Sequence, residues 1–216
     1  MATPVTTLSV ILSLTVTSLA CGSAAAVAQS PPIVRPGAPG ESSRVIDAER
    51  ASRLSHPTFT PADVKFMQGM IGHHAQAIEM VDLLKSRTNS DGMKKLAQRI
   101  ELSQNDEIKM MREWLQSRGQ EVPGEHAHHD PAMRMPGMLT PEDMNRLAAA
   151  KGDAFDKLFL EDMISHHEGA LVMVRELFAT PGAGQESEIY TFASDVEADQ
   201  RMEIARMAAM LKELEK

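Results

Sequence analysis

Cysteine is almost missing from this chain: Cys21 is the only one in 216 residues. A disulfide framework is therefore excluded. Aromatic residues are also scarce, with one Trp and one Tyr. Few aromatic or β-branched runs, set against long Ala, Leu, Met, Glu and Lys tracts, argue for helix over sheet. Basic charge is in deficit, with 22 Lys and Arg against 30 Asp and Glu. The resulting net charge of −8 argues against a nucleic-acid partner. No apolar run is long enough to span a bilayer once the first thirty residues are set aside. Met and His are abundant by contrast, at 16 and 8.

Residues 1–30 carry no charged side chain. The apolar run from Val10 to Leu19 is too short for a finished membrane helix. Ala26-Val27-Ala28 offers a small-residue cleavage site before Gln29, so residues 1–28 read as a secretory signal peptide. The absence of Lys or Arg near Met1 departs from a standard export signal. Lipid attachment at Cys21, after Ser18-Leu19-Ala20, is the alternative. Cleavage after Ala28 removes the one cysteine, and soft-metal chemistry would then fall to Met and His. The expected location is periplasmic or secreted, with no transmembrane span in the mature chain.

One pattern occurs twice. Phe66-Met67-Gln68-Gly69-Met70-Ile71-Gly72-His73-His74 continues to Val81. Phe159-Leu160-Glu161-Asp162-Met163-Ile164-Ser165-His166-His167 continues to Val174 in the same register. Phe, Met, Ile, His, His, Ala, Met and Val coincide, which marks an internal repeat. At about 100° per residue, the two histidines of each copy flank the centre of an apolar stripe. Met70 and Met163 lie one turn before them. Two such helices face to face would place four imidazoles and two thioethers in one interior. The partner helices repeat as well: Gln104, Glu107 and Ile108 match Gln200, Glu203 and Ile204. Glu107 and Glu203 fall on core-facing stripes, and a core carboxylate needs a partner.

In chain order, residues 29–59 read as a Pro-, Gly- and Ser-rich linker, with one or two helical turns near Val45 to Leu54. Thr60-Pro61-Ala62-Asp63 is a helix start with a cap, a proline and an acid. The spacing predicts helices to about Arg87 and from about Asp91 to Arg118, forming repeat one over 60–118. A His/Met-rich loop spans 119–139, and repeat two spans 140–216. Repeat two opens with a short helix at Thr140-Pro141-Glu142-Asp143. Long helices follow from Asp153 to Phe178 and from Glu186 onwards. Short connections favour antiparallel neighbours, hence an all-α antiparallel four-helix bundle built from two helical hairpins.

Thioether and imidazole together suit Cu(I) better than oxygen-seeking Mg, Ca or Mn. Di-iron bundles need Glu-x-x-His, and Met stands in place of that Glu in both copies. The candidate metal ligands are Met70, His73, His74, Met163, His166 and His167. Glu107, Glu203, Gln104 and Gln200 are candidates to orient the imidazoles from behind. The competing reading makes the His–Glu contacts plain buried polar pairs and the Met ordinary filler. His126, His128, His129, Met133, Met135 and Met138 form a candidate loop metal site. Imidazole must be neutral to bind, so Cu(I) affinity is expected to fall as pH drops through roughly 6.5, subject to burial.

The doubled Met-Ile-x-His-His, each followed by a Gln-x-x-Glu-Ile helix, resembles the family called domain of unknown function 305, the CopM-like proteins. The likeness runs from about Thr60 to Leu214. It implies a ferritin-like bundle, export, and copper binding linked to copper tolerance. Met70, His73, His74, Met163, His166 and His167 match the motif. The expected function is an exported Cu(I) buffer or carrier. The alternatives are a ferritin-like metal oxidase with a His/Glu site and a metal-free helical interaction module.

Overall fold

The computed structural model describes residues 31–35, 42–52, 58–124 and 134–214. The chain divides into two compact units, Met1–Leu54 and Ser55–Lys216. In the first, β1 (Ile33–Arg35) pairs antiparallel with β2 (Arg44–Ile46), and α1 (Ala48–Ser52) follows. The helical turn expected near Val45 to Leu54 is present as α1, and the two strands are additional to it. Ile33, Val34, Val45 and Ile46 are β-branched, and a strand holds such side chains without crowding.

The second unit contains α2 (Pro61–Leu84), α3 (Asp91–Ser117), α4 (Pro141–Ala149), α5 (Asp153–Ala179) and α6 (Ser187–Leu214). The Thr60 hydroxyl accepts from the Asp63 N–H, and Asp63 accepts from the Thr60 N–H, so α2 starts on a reciprocal capping box. Thr140 and Asp143 do the same for α4. Asp63 is fully buried, and its second oxygen accepts from the Gly184 N–H at 2.7 Å. The α5–α6 turn is thereby fixed to the start of α2. At the other end of α2, the Arg87 side chain donates to the Ala148 carbonyl of α4.

α2 packs on α3, α5 on α6, and α2 on α5. Phe66, Met67 and Met70 share an apolar cluster with Met111, Trp114, Ala170, Val174 and Leu177. Ala77, Met80 and Leu84 share the other with Met93, Ile100, Phe155, Phe159 and Met163. Residue numbers rise on α2 as they fall on α3 and α5, so these neighbours run antiparallel. The second unit is an all-α, ferritin-like bundle. Among the methionines outside the repeated motif, Met93 is buried, whereas Met110 and Met202 are about half exposed at 49% and 54%.

Candidate metal centre

The two apolar clusters are separated by a polar layer. His73, His74, His166 and His167 all lie there, none more than 1% exposed. The internal repeat explains the placement. Each copy puts adjacent histidines on the buried face of a central helix, and the antiparallel packing of α2 on α5 brings the copies together. The His73 and His166 rings meet at a tilt of 38°, with centroids 3.9 Å apart. His74 and His167 stand further out, 6.2 and 6.3 Å from their chain neighbours. Met70 and Met163 are fully buried on opposite sides of the layer, one in each apolar cluster.

Three imidazoles are held from behind by oxygen. His74 Nε2 is 2.6 Å from Glu107 Oε2 of α3, and His167 Nε2 is 2.7 Å from Glu203 Oε2 of α6. His73 Nε2 is 3.0 Å from the Pro136 carbonyl. A carbonyl or carboxylate oxygen only accepts, so each Nε2 carries the proton and donates it. In a neutral ring so held, the lone pair sits on Nδ1. The Nδ1 atoms of His73, His74 and His167 are buried without a partner, and the nitrogens of His166 have none beyond the His73 backbone. Burial lowers the His73 pKa to about 3, with charge on His74 adding to the effect. Burial likewise lowers His166 well below the ordinary 6.5, and charge on His73 and His167 would add to it. These two rings are neutral bases across the physiological range.

Gln104 and Gln200 are buried one turn before the glutamates, and Gln104 Oε1 has no partner. Behind the layer, burial raises the Asp199 carboxyl above its usual range, and the charges of Glu107 and Glu203 add to this. Glu107, Asp106, Asp195 and Asp199 line a cavity of about 340 Å³ between α3 and α6. Glu107 thus joins the buried layer to an acidic hollow.

Part of the loop lies over the layer. Residues 134–139 cross between α2 and α5 as a strap. Gln76 pairs with Leu139 through both amide groups, donating to its carbonyl at 3.0 Å and accepting its N–H at 2.7 Å. Pro136 meets Gly169 so closely that a Cβ on that glycine would lie 2.0 Å from the Pro136 oxygen. Met135 and Met138 belong to this strap, where the Met138 sulfur accepts the Met135 N–H at 3.2 Å. His126, His128, His129 and Met133 lie outside the described residues. The sequence reading did not single out Gln76, Pro136, Gly169 or Met173. The available signal was a glutamine and a glycine on otherwise apolar helix faces, opposite a Pro-Gly turn.

The family model for the domain of unknown function DUF305 matches residues 63–211. The chain belongs to the DUF305 family. Among solved structures, a DUF305 fragment from Deinococcus radiodurans is 30% identical, with a TM-score of 0.63 over 73% of this chain and 99% of that one. A DUF305 protein from Streptomyces coelicolor, provisionally described as secreted, is 27% identical, with a TM-score of 0.60 over 71% and 93%. CopM in its Cu(II)-bound form is 29% identical, with a TM-score of 0.57 over 70% and 96%. CopM is also similar in its Cu(I)-bound and Ag-bound forms. None of the curated proteins matches the chain. Among the described residues, no helix is long and apolar enough to cross a membrane.

Proposed function

We propose that this DUF305 protein is exported and holds Cu(I) in its histidine layer, as a buffer or carrier that contributes to copper tolerance. The observation that carries the reading is the set of buried, unpartnered Nδ1 atoms on rings whose Nε2–H groups are already committed to oxygen. Leaving polar atoms buried without partners costs stability, about 1–3 kcal/mol for each such group. A ligand role accounts for that cost. His73, His74, His166 and His167 would supply nitrogen, and Met70 and Met163 sulfur. Among the described residues, no three His, Cys, Asp or Glu side chains form a ready-made metal cluster. Sulfur from Met70 or Met163 would add to the imidazole nitrogens, and sulfur with imidazole favours a soft cation. The CopM structures with Cu(I), Cu(II) and Ag support the same class of ligand.

The protein's own contribution is to hold the rings. Glu107, Glu203 and the Pro136 carbonyl fix orientation and tautomer, and the apolar clusters keep water out. A metal oxidase would need carboxylates as direct ligands. Here Glu107 and Glu203 accept Nε2–H from the imidazoles, and Met70 and Met163 occupy the positions where a di-iron site has Glu. This favours the buffer reading. Anaerobic Cu(I) titration against a competing chelator tests it. Met70→Leu with Met163→Leu conserves volume and should spare the helices while weakening Cu(I) at least tenfold. His73→Ala with His74→Ala should weaken it further. Unchanged affinity in the Met double variant would make the thioethers filler and return the oxidase reading to the front.

A further inference from the structure

We infer that Met135 and Met173 form a second soft-cation site, on the strap and outside the histidine layer. Gly69, in the middle of α2, is the position that shows it. A Cβ there would lie 3.1 Å from the Met135 methyl, 3.4 Å from the Met135 sulfur and 3.4 Å from the Met173 methyl. The Met135 thiomethyl group from the strap and the Met173 methyl from α5 therefore approach one point above a bare stretch of α2 backbone. Both residues line a cavity of about 200 Å³ together with Phe66, Pro136, Lys65 and Glu176. The nearby charges are of opposite sign and do not set the preference. The donors do: paired neutral thioethers attract Cu(I) or Ag(I) and reject Mg and Ca.

The position also has a consequence for the layer. Met135 is followed by Pro136, whose carbonyl orients the buried His73. A cation taken by Met135 and Met173 is then held beside the group that presents His73 Nδ1. The strap becomes a handover point between the outer cavity and the buried nitrogens. This inference rests on the soft-metal reading above.

The test uses the full chain with ¹³C-labelled methionine methyls and ¹⁵N-labelled histidine, titrated anaerobically with Ag(I). The Met135 and Met173 methyl signals should shift together. They should do so equally at pH 7 and pH 5, because thioethers do not titrate. Met135→Leu with Met173→Leu should lose one equivalent of Ag(I) and keep both the helical circular dichroism and the histidine shifts. Stationary Met135 and Met173 signals beside shifting histidines would overturn this site and leave the layer standing. Full stoichiometry in a folded double variant would do the same. No shift at any methionine or histidine would overturn both. The wild-type titration decides the matter even where the double variant does not fold.

Discussion

At the scale of single residues, His166 is the most exposed to contradiction. Its nitrogens are buried with no hydrogen-bond partner beyond the His73 backbone, and the ring lies against that of His73. An apolar replacement of similar size removes that cost. His166→Leu should therefore raise the stability of the metal-free protein, by about 1–3 kcal/mol in urea denaturation. The same change should lower Cu(I) affinity. Stability and binding would then move in opposite directions, which a purely structural histidine would not show. Glu107→Ala acts the other way, because it leaves the His74 Nε2–H buried and unpaired. We expect a loss of about 1–3 kcal/mol, with Glu107→Gln recovering part of it through its carbonyl oxygen. Equal stability for the Ala and Gln variants would show that this hydrogen bond orients nothing.

At the scale of elements, the strap decides how the loop can be dissected. A deletion of 125–138 would remove Pro136, whose carbonyl holds the His73 side of the layer, and would strip Leu139 of its lead-in. Removing only 125–133 leaves the strap in place and asks about the histidines of the loop alone. Gln76→Ala removes both hydrogen bonds to Leu139. Hydrogen exchange at the Leu139 amide should then quicken while α2 and α5 keep their protection. Unchanged exchange at Leu139 would mean that close packing at Gly169 holds the strap unaided. The long helices were legible because each declared itself locally: the Thr-Pro-x-Asp caps, the buried stripe and the repeat. The strap was not legible. It depends on Gly69 and Gly169 meeting residues far away in sequence, and no periodicity in 134–139 signals that. The two short strands were missed for a similar reason, since three residues are too few to establish an alternation.

At the scale of the whole molecule, the layer ties stability to pH. His73 and His166 have folded-state pKa values depressed mainly by burial, to about 3 for His73. Below the ordinary 6.5, the unfolded chain takes up protons that the folded chain refuses. Stability is therefore full above pH 6.5 and falls as pH drops towards 3, by about 1.4 kcal/mol per pH unit for each ring. Urea midpoints measured from pH 7 to pH 4 should decline, and the decline should be shallower in His166→Leu. Burial thereby moves the expected loss of metal affinity at these two rings to lower pH than 6.5. At His73 and His166, protons compete only at much lower pH, so binding should persist where an exposed histidine site would fail. Bound metal should stabilise the fold by mass action. The central claim remains that the layer binds through Nδ1 while Nε2–H stays on oxygen. Long-range ¹H–¹⁵N correlation of the imidazoles, with and without Ag(I), measures this directly. The account predicts that Ag(I) shifts Nδ1 of His73, His74 and His167 and leaves their Nε2 protonated. Ag(I) on Nε2, with Glu107 and Glu203 displaced, would contradict it.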